Sequence, residues 1–287
     1  MRGCCPHRGS FILIFALLAV AAGAQTPTLK FKFKTINVAG AQSTGIYGIN
    51  NAGAMVGSYV DSGGVRHGFI LIGQTVKKID DPKGTGTYCF GVNKTGSIVG
   101  YYADSSNNAQ GFLYEKGKFS DIGPAGSTGS QGIGINDHGD VNGNFGDSKG
   151  GHGFLLKGGK YTTQDVPGAA FTLGGGINNA DLMTEEWIDS SSNVESSLYN
   201  GKKYTTINVP GEPDSYVSGI NNLGDIVYSW ESASAYGGAL RHGGKIYKFH
   251  VPEGDRTFGY GINDHNMVVG AYTNEKTGAL EGFSAAY

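Results

Sequence analysis

Cysteine is scarce in this 287-residue chain, and two of its three, Cys4 and Cys5, stand within the first ten residues. Neither occupies a Leu-x-x-Cys context of the kind that lipoproteins carry. Cys89 is left alone, so no intrachain disulfide is expected once the opening segment is removed. It has no Cys-x-x-Cys partner and no nearby histidine, and so reads as buried filler, not as a redox or nucleophilic thiol. Long apolar runs are equally rare. The only one, "FILIFALLAVAA" at 11–22, falls short of the roughly 20 residues a membrane-spanning helix needs. Arg2 and Arg8 precede it and "AGA" follows it, which predicts a signal peptide over 1–24, cleaved after Ala24. The expectation is a secreted protein, extracellular or periplasmic, with no membrane span.

Basic clusters are missing too. Without Arg2 and Arg8 the chain keeps 20 basic residues against 24 acidic ones, a net charge of about −4. That argues against nucleic acid or an anionic membrane as partner. No apolar period of 3.6 persists long enough for a helix. There is no G-x-S-x-G elbow, no Walker loop, and no nucleotide fingerprint entering a helix. The glycine-rich "GTGTYCFG" (84–91) leads into a strand instead. No histidine pair has helical or H-x-H spacing, and no unit carries a calcium loop of the D-x-[DN]-x-[DN]-G type. Neither a cofactor, a metal nor a catalytic residue is therefore expected.

Glycine, by contrast, is abundant at 50 residues, without a collagen period. Much of it belongs to a repeated Gly-Ile/Val-Asn, at Gly48, Gly91, Gly134, Gly176, Gly219 and Gly261, spaced 42 or 43 residues apart. A period of 40–45 residues built from short apolar runs rich in Tyr, Phe, Val and Ile predicts propeller blades of four strands. In the second unit the strands read as 87–93, 97–103, 110–115 and 118–122. The c–d turns carry glycine, and Asn200-Gly201 is the clearest type I′ signal. The sixth unit stops after 27 residues, while residues 31–47 copy a d strand and its outgoing loop: "KTINVAGA" matches "YTTINVPGE" (204–212). The expectation is a single all-β domain over 25–287: a six-bladed β-propeller of four-stranded antiparallel blades, closed by an N-terminal strand that completes the last blade.

The segments "HGFIL" (67–71) and "HGFLL" (152–156), each about 20 residues after Gly-Ile-Asn, resemble the bacterial extracellular repeats of the HAF family. Here glycine replaces the family's alanine and two of six units keep the histidine. The resemblance implies a secreted repeat domain and brings no catalytic residue with it.

Other positions also recur in every unit. Aromatics stand at Tyr59, Tyr102, Phe145, Trp187, Trp230 and Tyr272, and hydroxyls at Thr44, Thr87, Ser130, Thr172, Ser215 and Thr257. Asp61, Asp104, Asp147 and Asp189 open the b–c loops. Stacking on a ligand, ligand coordination and calcium are the functional readings. Inter-blade packing, amide capping and Asx turns are the structural ones, and uniform repetition favours these. Symmetry breaks at a position that is glycine in four units and Glu185 or Tyr228 in the other two, close to the only tryptophans. Glu185, Trp187, Tyr228 and Trp230 are therefore the candidate ligand-binding residues. The expected function is a non-catalytic binding or scaffold module for an extracellular glycan or protein. The alternative is a polysaccharide hydrolase or lyase using Glu185 as acid or base, partnered by Glu186, Asp189 or Glu231.

Overall fold

The computed structural model describes residues 29–287, so the expected signal peptide, with Cys4 and Cys5, lies outside the described residues. Twenty-four strands form six four-stranded antiparallel sheets, with no helix among the described residues. In blade 2, strand a is Gly86–Val92, b Ile98–Ala103, c Ala109–Glu115 and d Lys118–Asp121, each bound within one residue of its predicted limit. Blade 6 takes Gly254–Ile262, Met267–Asn274 and Leu280–Ala286 from the end of the chain and Lys32–Ile36 from its start. That last strand runs antiparallel to Leu280–Ala286, from Lys32 opposite Ala286 to Ile36 opposite Gly282. Phe31 packs on Phe249 of blade 5 at 4.8 Å between ring centres, and Phe33 on Phe283 at 5.7 Å. The ring is closed, as the complementary chain ends predict.

Each letter of Gly-Ile-Asn has its own physical task. The glycines lie where neighbouring a strands crowd the axis. A Cβ on Gly48 would sit 2.2 Å from the Phe90 carbonyl oxygen, and one on Gly219 2.8 Å from that of Tyr260. The six Ile/Val side chains are all buried and border both axial cavities. Each asparagine side chain donates from Nδ2 to the backbone oxygen of the next blade's asparagine, from Asn50 through Asn93, Asn136, Asn178, Asn221 and Asn263 back to Asn50, at 3.0–3.3 Å. Each Oδ1 also accepts the amides two and four residues on, as Asn178 does from Ala180 and Leu182. These polar groups are buried and each oxygen and nitrogen has a partner, which is the condition under which buried polar groups cost little.

The recurring hydroxyls behave as caps. Thr44, Thr87, Thr172, Ser215 and Thr257 each accept the amide six residues earlier. At Ser130 that residue is Pro124, which has no N–H, so the hydroxyl donates to the Ile122 oxygen and accepts from Gly111. Asp61, Asp104, Asp147 and Asp189 accept b–c loop amides, as Asx turns do. One turn departs from expectation. At Asn200-Gly201 the asparagine is not among the positive-φ residues, so the type I′ reading fails. Its Oδ1 accepts from Lys202 and Lys203 instead, and residues 200–203 form a longer loop between strands.

Candidate functional site

Two cavities lie on the axis, one on either side of the Ile/Val ring. The smaller, about 70 Å³, opens among the asparagines of the a–b turns. The larger, about 280 Å³, opens toward the d–a and b–c loops and is lined by the a strands of all six blades. Its volume sits at the lower edge of small-molecule sites, which run to roughly 300–1,000 Å³.

The wall of the larger cavity is not six-fold symmetric. The residue preceding each motif glycine faces it: Tyr260, Tyr47 and Phe90 in blades 6, 1 and 2, then Ile133, Gly175 and Ser218 in blades 3, 4 and 5. Tyr47 lies 5.2 Å from both Phe90 and Tyr260 between ring centres, so the three rings form a continuous arc. Behind Phe90 the arc continues through Tyr101 and Tyr88, stacked at 4.5 Å, with the Arg66 guanidinium 4.8 Å over Tyr88. The Tyr47 hydroxyl is held against Ser58 Oγ, which also accepts from Arg66 Nη1. On the other half the small residues leave room for Gln131, Asn144 and Glu186.

Among the described residues, Glu186 is the one carboxyl lining this cavity. Burial pushes it up to about 7, and no hydrogen bond or neighbouring charge offsets that burial. Tyr47 and Tyr260, half-buried, are raised above the ordinary phenol range and stay neutral near pH 7. The arrangement offers ring faces on one side and a carboxyl with two amides on the other. It can stack a flat apolar patch while hydrogen-bonding a polar edge.

The four residues singled out in the sequence occupy the faces between blades, and none of them lines either cavity. Glu185 and Tyr228 are fully buried, and their cross-strand neighbours explain why. In blades 1, 2, 3 and 6 the glycine of strand b faces a buried phenylalanine of strand c, at Gly57–Phe69, Gly100–Phe112, Gly143–Phe154 and Gly270–Phe283. A Cβ on those glycines would touch the ring at 2.6–3.1 Å. In blades 4 and 5 the sizes are exchanged: Glu185 faces Ser197 and Tyr228 faces Ala239. Tyr228 thus supplies from strand b the bulk that phenylalanine supplies elsewhere from strand c. Burial raises its hydroxyl above the ordinary phenol range.

Glu185 brings a carboxyl into the same place. Oε1 accepts from Asn142 Nδ2 at 3.4 Å, while Oε2 and Asn142 Oδ1 have no partner among the described residues. Burial therefore holds Glu185 well above the usual carboxylate range. Trp187, half-buried, donates from its indole to Ser197 Oγ at 2.9 Å, the hydroxyl that the exchange places there. Trp230 donates to the Gly238 oxygen and lies under Lys248 Nζ at 4.8 Å. Among the partners considered for Glu185, Asp189 holds a b–c turn and Glu231 accepts from Tyr216.

The histidines have local tasks. His67 is bonded to Asp61 and Asp80, and His152 to Asp147 and Asp165. His138, Asp140 and Asp181 lie close enough together to suggest a cation, but Lys157 already reaches Asp140 at 3.2 Å and Asp181 at 2.6 Å. No helix of the described residues is long and apolar enough to cross a membrane.

No family model matches this chain, and no curated protein does. Among solved structures it is similar to a streptogramin B lyase, with 12% identity, a TM-score of 0.54, and coverage of 89% of this chain and 98% of that one. It is also similar to the lectin of Aleuria aurantia, described as a six-bladed β-propeller with a novel fucose recognition mode: 12% identity, 88% and 93% coverage, TM-score 0.52. TolB from Acinetobacter baumannii aligns at 10% identity over 85% of this chain and 64% of its own, with a TM-score of 0.57. At these identities the likeness shows the propeller fold and nothing finer.

Proposed function

We propose that this chain is a secreted, non-catalytic binding module of the HAF-repeat type whose ligand is a glycan, with one sugar residue held in the larger axial cavity. The observation that carries this reading is the asymmetry of the wall: three contiguous aromatic rings face Glu186, Gln131 and Asn144 across a space of about 280 Å³. Sugars present a C–H face and a hydroxyl edge, and this pairing of surfaces suits both. Binding is favoured over hydrolysis because glycosidases flank the bond with two carboxyls about 5–10 Å apart, and Glu186 stands alone in the lining. Glu185, the acid of the alternative reading, has no exposure through which to reach a substrate.

A glycan array probed with the purified protein, followed by titration of the best ligand into Tyr47→Ala and Phe90→Ala variants, tests this. The expected result is a discrete set of bound glycans whose affinity drops about 10-fold or more in each variant, since stacked rings contribute on the order of 1–3 kcal/mol. A blank array, or affinities indifferent to both substitutions, would sink the reading.

A further inference from the structure

Resting on that reading, we infer that the cavity selects a cationic sugar: a protonated amino sugar whose ammonium pairs with Glu186 while its ring lies along Tyr47, Phe90 and Tyr260.

The charge inventory of the cavity is one-sided. Among the described residues, no lysine, arginine or histidine lines it, and Glu186 is its only carboxyl. Arg66, the cation behind the aromatic arc, is engaged with Tyr88 and Ser58. A half-buried carboxyl without a partner carries part of its desolvation cost, and a bound cation offsets that cost by supplying the missing charge. Aromatic faces add to the same sign, because the ring quadrupole is negative above its plane and attracts cations. A neutral hydroxyl uses neither feature fully, and an anionic sugar meets repulsion from both.

The groups packed around Glu186 leave it as the titrating member of the site. On strand a, Leu173 lies opposite it, and on strand c, Ser196. Tyr216 of blade 5 lies within its field, and its hydroxyl donates to Glu231 Oε2 at 3.3 Å. Tyr216, Tyr47 and Tyr260 are all raised and remain neutral through the physiological range. Glu185, next in the chain, points to the opposite face of the strand, where it meets Asn142. Binding of an ammonium therefore requires Glu186 to be ionised, and affinity falls as pH drops below about 7.

The test is calorimetric titration of the purified protein with D-glucosamine, D-glucose and N-acetyl-D-glucosamine at pH 7 and pH 5. Glucosamine is expected to bind at least about 10-fold more tightly than either neutral sugar at pH 7, and to lose at least about 10-fold at pH 5. The neutral sugars should change little between the two pH values. In Glu186→Gln the amine preference should vanish while neutral-sugar affinity remains. A Tyr47→Leu variant, which keeps the carboxyl, should weaken all three but preserve the pH dependence for glucosamine. Equal affinity for amine and neutral sugars, or a preference that survives Glu186→Gln, overturns the inference and leaves the glycan reading standing. No binding of any sugar, on this panel or on the array, by protein shown to be folded from its melting curve overturns both.

Discussion

Blades 1, 2, 3 and 6 fill the space between sheets in one way, and blades 4 and 5 in another. In the first group a phenylalanine on strand c lies over a glycine on strand b; in the second, the large side chain has moved to strand b and the small one to strand c. Close-packed interiors constrain the summed volume at a contact more than the identity of either partner. The two arrangements are two solutions to one packing problem, and in the first group a strand a carbonyl oxygen, 1.9–2.2 Å from where a Cβ would stand, also bars any side chain from the glycine position. Blade 4 adds a chemical difference, since Glu185 fills the position with a group that burial forces toward its neutral form.

The largest effect should come from blade 6, a member of the regular group assembled from both ends of the described chain. Deleting residues 25–41 removes its outer strand together with Phe31 and Phe33, which pack on Phe249 and Phe283. The expected outcome is loss of cooperative folding, read by thermal melting; equal melting temperatures for the two lengths would contradict the closure. Next in size is a cycle in blade 5. Tyr228→Gly alone should cost about 3–5 kcal/mol through the cavity it leaves, and Ala239→Phe alone about 1–3 kcal/mol through overpacking. Together they rebuild the pairing of blades 1, 2, 3 and 6 and should recover most of the loss in denaturant titration. If the double variant is as unstable as the sum, the exchange is not the explanation.

The smallest effect concerns Glu185→Gln. Because the folded state holds this carboxyl above its unfolded value, the folded protein binds more protons, and the wild type loses stability as pH rises above the unfolded value of about 4.3. The glutamine variant lacks that loss and can donate to Asn142 Oδ1, which is now without a partner. It should gain stability over wild type at pH 7.5, with the gain shrinking toward pH 4. A constant difference across that range would show that Glu185 does not titrate with folding.

Much of the architecture was legible because six copies of Gly-Ile/Val-Asn fix the repeat period, and because a missing strand at one end matched a surplus strand at the other. The exchange in blades 4 and 5 was half legible. Glu185 and Tyr228 stood out from the glycine series, but Ser197 and Ala239, eleven or twelve residues further on, acquire meaning only once strands b and c are paired. The same limit applies to the carboxyl: Glu185 stood out in the sequence, whereas its neighbour Glu186 lines the cavity. Alternation along the strand separates the two, but which of the two strand faces reaches the cavity is visible only in the assembled ring. A usable signal was nevertheless present in the position before each motif glycine. It is aromatic in Tyr260, Tyr47 and Phe90, which are consecutive once the chain is known to close on itself.

The asparagine circuit around the axis has no first or last member, and every link points the same way round. Opening any one link leaves an unused donor in one blade and an unused acceptor in the next, so each blade's hold on its neighbour is felt all the way round.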